Sequence, residues 1–258
     1  MLAAIAGALM FYTVLPIPNR WGADFRAIAR WGPVVGLLIG ALLVALDWGL
    51  GAIAVPPLSR AVVVVLGWVA VTGGLHLDGV MDTADGLAVV DPQRRLAVMA
   101  DSRTGAFGAI AGMAVLLMKV AALADLMAIA AGPGRLLILL LVPLMGRWGQ
   151  VLAIARYRYL RAQGKGALHK RDSGGLWDLR LGTGVAIAIA AAYAGMVPGG
   201  WPLAVAVVGG GGAIAIVVAA WLNRRFGGHT GDTYGATVEW TEALLLLAMV
   251  PLAAAATP

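Results

Sequence analysis

The chain has 258 residues, of which 61% are apolar and 12% are charged, with a net charge of +6. This balance excludes a water-soluble globular domain. At about 20 residues per crossing, it predicts an all-α, polytopic transmembrane helical bundle of about 6–8 helices, with residues 1–258 as one membrane domain in the lipid bilayer. Basic residues in such a protein record topology, so the charge does not indicate a nucleic-acid partner.

Eight runs rich in Leu, Ala, Val and Ile are bounded by Gly, Pro or charge, and each predicts a helix. They cover residues 2–17, 31–54, 61–75, 105–131, 136–155, 181–198, 202–222 and 236–256. The runs at 2–17 and 61–75 are short for a full crossing, so we expect one of them to be re-entrant or to continue into its loop. The first run lacks the basic start of a signal peptide and is interpreted as a retained helix.

The loops on one side of this predicted bundle hold fifteen of the nineteen Lys and Arg residues. These loops cover residues 18–30, 76–104, 156–180 and 223–235. The opposite loops hold only Arg60 and Arg135. The positive-inside rule therefore predicts that the four basic loops face the cytoplasm and that both termini lie outside.

Acidic residues gather in three short segments that border the basic loops. The segments are TGGLHLDGVMDTADGL with Asp78, Asp82 and Asp85, DSRTGAFG with Asp101, and GGHTGDTYGATVEWTE with Asp232, Glu239 and Glu242. An acid at the centre of a membrane helix costs roughly 2.5 to 3.5 kcal/mol on insertion scales. Clusters at such places therefore call for a compensating cation or partner.

In a helix, Asp78, Asp82 and Asp85 have the spacing i, i+4, i+7 and share one face, where like charges repel. A hard cation relieves that repulsion, and oxygen ligands without cysteine favour Mg²⁺ or Mn²⁺. Mg²⁺ fills its remaining positions with water and substrate phosphate, so the pattern predicts a pyrophosphate-substrate site. The alternative is a solvated acidic helix end that pairs with Arg94, Arg95 and Arg103.

Glycines beside these acids indicate a phosphate site, because they let backbone N–H groups approach phosphate oxygens closely. They are Gly79, Gly86 and Gly231. In the second segment, Ser102 and Arg103 suit a phosphate oxygen, although a membrane-flanking Arg and a helix cap are equally typical there.

Two basic residues, Lys119 and Arg147, lie inside predicted helices, where they either neutralise substrate phosphate or pair with internal acids such as Asp125. His76 and His229 each precede an acidic motif and are candidates for a general base or a hydrogen-bond donor, with a structural role as the alternative. His169 is predicted to be a solvated loop residue.

These motifs, in this order, closely resemble the adenosylcobinamide-GDP ribazoletransferase family, also called cobalamin synthase or cobalamin-5′-phosphate synthase. The resemblance extends to FYTVLPIP near the N-terminus, PVVGLLIGALL in the second helix and ARYRYLRAQGKG after the fifth, so it covers nearly the whole chain. The stretch HKRDSGG departs most from the pattern, and no role is transferred to it.

The resemblance implies that a sugar hydroxyl of α-ribazole, or of its 5′-phosphate, attacks adenosylcobinamide-GDP and releases GMP, with Mg²⁺ at the bacterial inner membrane. The metal would be held by Asp78, Asp82 and Asp85, with Asp101 and Asp232 as further ligands or the base. Arg103, Lys119 and Arg147 would hold phosphate, while Glu239 and Glu242 would orient the ligands.

The sequence leaves two other functions open. It also leaves the oligomeric state open, and a homo-oligomer is possible. A lipid-type CDP-alcohol phosphotransferase would share the metal chemistry, but its signature has an Arg soon after the first acids, where this chain has TADGL. An ion-coupled transporter would distribute its acids through the midplane of inverted repeats, whereas these acids gather at helix ends.

Overall fold

The computed structural model describes residues 1–129, 132–162 and 164–255, and in these ranges it contains helices, one isolated β-bridge and no strand. We label the principal helices α1 (Leu2–Tyr12), α2 (Gly32–Ala52), α3 (Pro57–Thr72), α4 (Leu75–Ala88), α5 (Ala106–Ile129), α6 (Pro133–Arg156), α7 (Leu179–Met196), α8 (Trp201–Phe226) and α9 (Gly231–Ala255). A short helix, Lys165–Arg171, follows α6.

Within the described ranges, six helices are long and apolar enough to cross a membrane, and the bent pair α3 and α4 gives a seventh candidate. The predicted all-α, multi-pass bundle is therefore confirmed. The two runs that were short in the sequence are the two that form no straight crossing. Helix α1 has 11 residues, and Pro16 and Pro18 follow soon after its end at Tyr12, which suits the exclusion of proline from helix interiors.

The break between α3 and α4 turns the chain by 91°. It is made by Gly73 and Gly74, whose φ angles of 61° and 69° lie in the left-handed region that glycine adopts without a Cβ penalty. Because of this turn, α4 and its three aspartates do not continue along the axis of α3.

Helix α6 is the centre of the bundle, with 83% of its most apolar stretch buried. Its most extensive neighbour is α2, which lies close because Gly36 and Gly40 face the α6 backbone. A Cβ at either glycine would collide with the backbone of Pro143 or Leu140. Small residues allow this approach in lipid, where packing contributes much of the helix association.

At the end of the bundle away from the acidic motifs, the carboxylate of Asp47 is fully buried between two guanidinium groups. Arg60 and Arg135 lie 3.0 and 3.1 Å from its two oxygens. These are the two basic residues predicted for the opposite loops, and here they tie α3 and α6 to α2.

Candidate active site

The first and third acidic motifs meet where α4 packs against α9. A Cβ at Gly79 would lie 2.5 Å from the carbonyl oxygen of Asp232, and one at Gly235 would lie 3.1 Å from Cα of His76. The first contact excludes any side chain at Gly79, and the second leaves little room for one at Gly235. Gly79 therefore serves helix packing as well as lining the cavity described below.

The second acidic motif contacts the first through Asp85, a residue of the first motif. Its two carboxylate oxygens accept hydrogen bonds from the backbone N–H groups of Gly105 and Gly108, each 2.7 Å long, at the start of α5. A carboxylate at a helix N-terminus is stabilised by the free N–H groups and by the helix dipole. Asp85 thus anchors α4 to α5 in this structure, and its predicted role as a metal ligand stays a prediction.

A cavity of about 240 Å³ opens between α4, α9, the C-terminal end of α6 and the chain that follows α6. Its lining residues are Phe11, Leu75, His76, Asp78, Gly79, Gln150, Tyr159, Arg161, Gly164, Gly166, His169, Gly231, Asp232 and Tyr234. The set includes five of the residues predicted from sequence: His76, Asp78, Gly79, Gly231 and Asp232.

Carboxylates gather at the mouth of this cavity. Asp78 is exposed there, and Asp232 is partly exposed and lies 3.0 Å from the Arg161 guanidinium. Asp82 lies beside the lining and is close enough to Asp78, Asp232 and Asp85 to be repelled electrostatically by all three. The mouth therefore combines several negative charges with one neighbouring cation.

These side chains suit a hard divalent cation by their chemistry. Among the described residues, no three acid or histidine side chains already converge as a metal site. Mg²⁺ requires only one or two protein carboxylates when water and phosphate complete its octahedron. Asp78, Asp82 and Asp232, whose oxygens repel one another, can supply one or two such ligands while Asp85 remains bound to the start of α5.

One wall of the cavity comes from the basic loop after α6. The N–H of Leu160 donates to the carbonyl of His229 (2.8 Å), and the N–H of His229 donates to the carbonyl of Arg158 (2.9 Å). This pairing holds Tyr159 and Arg161 over the cavity. Neither was singled out from the sequence, although the string ARYRYLRAQGKG that carries them was part of the resemblance.

The prediction that His169 is a solvated loop residue is wrong. Its side chain is 4% exposed, because the helix Lys165–Arg171 turns it inward, with the ring edge-on to Phe11 at 4.5 Å. Burial lowers the pKa of His169 to about 4, so the imidazole is neutral at pH 7. Gln150 and Tyr234, also missed from the sequence, are buried in the same lining.

Asp101 and Arg103 form an exposed bidentate pair with each other, and they lie outside the cavity lining. Hydrogen bonds from Arg103 lower the pKa of Asp101 to about 2. Ser102 is exposed beside them. Gly86 packs against the side chain of Met99, where a Cβ would lie 2.6 Å from Cγ. Catalytic or substrate roles for these four residues stay predictions.

Lys119 and Arg147 belong to a buried ion network among α5, α6 and α9. The Lys119 ammonium lies 2.7 Å from Glu239, 2.6 Å from Glu242 and 4.0 Å from the centre of the Trp68 ring. Arg147 donates to the second oxygen of Glu242 at 2.6 Å. These contacts match the alternative that Lys119 and Arg147 pair with acids inside the protein. Phosphate binding by either cation stays a prediction.

Comparison with known proteins decides the family. The family model described as cobalamin-5-phosphate synthase matches residues 4–250. The chain belongs to this family. A relative from Trichormus variabilis named adenosylcobinamide-GDP ribazoletransferase is 48% identical over 254 residues, which cover 98% of each chain. One of the same name from Synechococcus sp. is 50% identical over 240 residues, or 92% of each chain. No solved structure matches the chain.

Family membership confirms the resemblance drawn from the three motifs, and it makes this chain an enzyme of late cobalamin biosynthesis. The lipid-type phosphotransferase and the ion-coupled transporter are not favoured. The mouth acids, which a transporter would distribute through its midplane, instead surround one cavity where helices and loops meet.

Proposed function

We propose that this chain transfers the adenosylcobinamide phosphate group of adenosylcobinamide-GDP to α-ribazole or its 5′-phosphate and releases GMP. A ribose hydroxyl of the acceptor attacks the phosphorus next to the cobinamide aminopropanol. The bond between that phosphorus and the GMP oxygen breaks, and the hydroxyl proton passes to a carboxylate. The observation that carries the proposal is the cavity with Asp78, Asp232 and Arg161 at its mouth, in a chain of this family.

In this proposal, Asp78 and Asp82 would hold Mg²⁺, or Mn²⁺ in its place. When bound, the ion neutralises charge on the diphosphate and orients it. The Arg161 guanidinium leaves the carboxylate of Asp232, with which it pairs in this structure, and binds a phosphate oxygen instead. Asp232 then lies free to accept the hydroxyl proton. Phosphoryl transfer needs mainly such positioning and charge stabilisation from the protein.

Chelation is the first test of the metal. Purified protein in liposomes, given adenosylcobinamide-GDP, α-ribazole and Mg²⁺, is expected to release GMP. EDTA should reduce the rate to background, and excess Mg²⁺ should restore it, because carboxylates at the mouth repel the diphosphate without a cation. Undiminished GMP release in EDTA would leave the acid cluster without a metal role.

We further propose that the protein lies in the bacterial inner membrane with this cavity facing the cytoplasm. The support is the location of fifteen of the nineteen basic residues in the loops of one side. The chain has no cysteine, so a single introduced thiol reports on one position.

An impermeant maleimide should label Ser102→Cys in inverted vesicles and not in intact spheroplasts. Ile53→Cys, at the exposed far end of α2, should show the opposite pattern. Labelling of Ser102→Cys from outside the cell would reverse the proposed orientation.

A further inference from the structure

The inner end of the cavity concentrates buried polar atoms that have no hydrogen-bond partner among the described residues. Both ring nitrogens of His76, both of His169, Oε1 of Gln150 and the hydroxyl of Tyr234 are in this state. All four side chains line the cavity, and each is at most 4% exposed. Buried polar groups in folded proteins are nearly always paired, so this cluster indicates a polar ligand.

The inner end differs from the mouth in charge. Among the described lining residues, the one cation is Arg161, which ion-pairs with Asp232 towards the mouth. His169 is neutral, and a neutral imidazole offers one donor and one acceptor. A matching group is therefore uncharged and carries at least one hydrogen-bonding atom.

The walls of this end are aromatic. Phe11 in the lining packs edge-on to His169, and behind the lining the Tyr12 ring stacks on His76 at 6.0 Å and on His169 at 5.9 Å, with interplanar angles of 30° and 21°. On the other side, Tyr159 and Tyr234 stack at 5.8 Å. Such surfaces favour a flat ring system through stacking.

Size and charge select among the parts of the two substrates. A cavity of about 240 Å³ is below the usual range of about 300–1,000 Å³ for ligand pockets, so it admits a nucleoside but not a corrin macrocycle. The guanosine phosphate of the donor is anionic and would have to pass Asp78 and Asp232 to reach an end whose neighbouring cation, Arg147, is already paired with Glu242. The base of the acceptor carries no charge, and its ribose, with the 5′-phosphate where present, remains at the mouth.

We infer that the inner end of this cavity binds the benzimidazole base of the acceptor nucleoside, with His76, His169 and Gln150 as its polar contacts. This inference rests on the proposed function. The ribose then points to the mouth, where its hydroxyl reaches the diphosphate beside Asp78 and Asp232. The free ring nitrogen of the base supplies an acceptor for one of these polar contacts.

His169→Phe and Gln150→Met test the inference, since each puts an apolar side chain of similar shape in place of the polar one. Each is expected to raise the KM for α-ribazole at least tenfold, while kcat and the KM for adenosylcobinamide-GDP stay within threefold of wild type. Gln93→Met, on an exposed loop, is the matched control and should change none of the three constants. Thermal melts in detergent identify a variant that fails to fold, in which case the other variant carries the test.

Equilibrium dialysis of α-ribazole without donor provides a second readout, in which either variant should lose at least tenfold in affinity. A rise confined to the KM of the donor would assign this end to guanine and overturn the inference, and unchanged constants would do the same. If the wild-type protein releases no GMP, the proposed function fails, while the dialysis comparison still decides the subsite.

Discussion

Asp82→Asn is expected to lower kcat for GMP release by on the order of 10³-fold, in line with the loss of a group that stabilises charge in a transition state. The substitution keeps the shape of the side chain and removes the charge that repels Asp78 and Asp232. Expression and thermal stability should therefore stay at wild-type levels. Initial rates at saturating substrates, together with a melting curve in detergent, measure both quantities.

The matched control for this variant is Asp91→Asn. Asp91 is an exposed loop residue whose carboxylate accepts from the N–H of Gln93, and asparagine caps a helix equally well. It should retain kcat within twofold. Wild-type turnover in Asp82→Asn would remove the acid stripe of α4 from the mechanism, whatever the behaviour of the control.

Lys119→Met is expected to destabilise the protein by about 3–5 kcal/mol, the usual result of removing one partner of a buried ion pair. It leaves Glu239 and Glu242 facing each other in the interior, where Arg147 compensates only one of them. The melting temperature in detergent should fall accordingly. The double variant Lys119→Met/Glu239→Gln restores charge balance and should be more stable than the single variant.

Two comparisons separate this structural role from phosphate binding. Arg26→Gln breaks an exposed pair with Asp24 and should leave the melting temperature unchanged, since such pairs contribute little. If Lys119→Met instead melted like the wild type and lost turnover, the ion network would not be what Lys119 stabilises. The phosphate role predicted from sequence would then gain support.

Hydropathy was sufficient to predict the membrane architecture. A crossing needs about 20 apolar residues, and this requirement is local, so the long runs appear directly as helices α2 and α5 to α9. The same local reasoning singled out 2–17 and 61–75 as too short. The spacing of Asp78, Asp82 and Asp85 likewise predicted one acidic helix face, because the helical period alone determines which residues share a face.

The motif strings also predicted the family, but they did not predict what each side chain contacts. Asp85 caps α5, and Gly79 admits the backbone of α9, so two residues of the acidic motif hold helices together. Lys119 finds Glu239 and Glu242, which are more than a hundred positions away in the chain. Periodicity contains no information about such partners.

The inner wall of the cavity depends most on tertiary structure. Arg161 and Tyr159 reach the acids because their loop pairs with His229, about seventy residues later, and His169 is buried because its short helix turns inward. The sequence by itself determined the helices, their apolar faces and the acidic stripe, since these follow from local composition and period. Only the tertiary structure decided that Arg161, His169 and Gln150 lie beside that stripe, because they come from segments that are distant in the sequence and meet only when the chain folds.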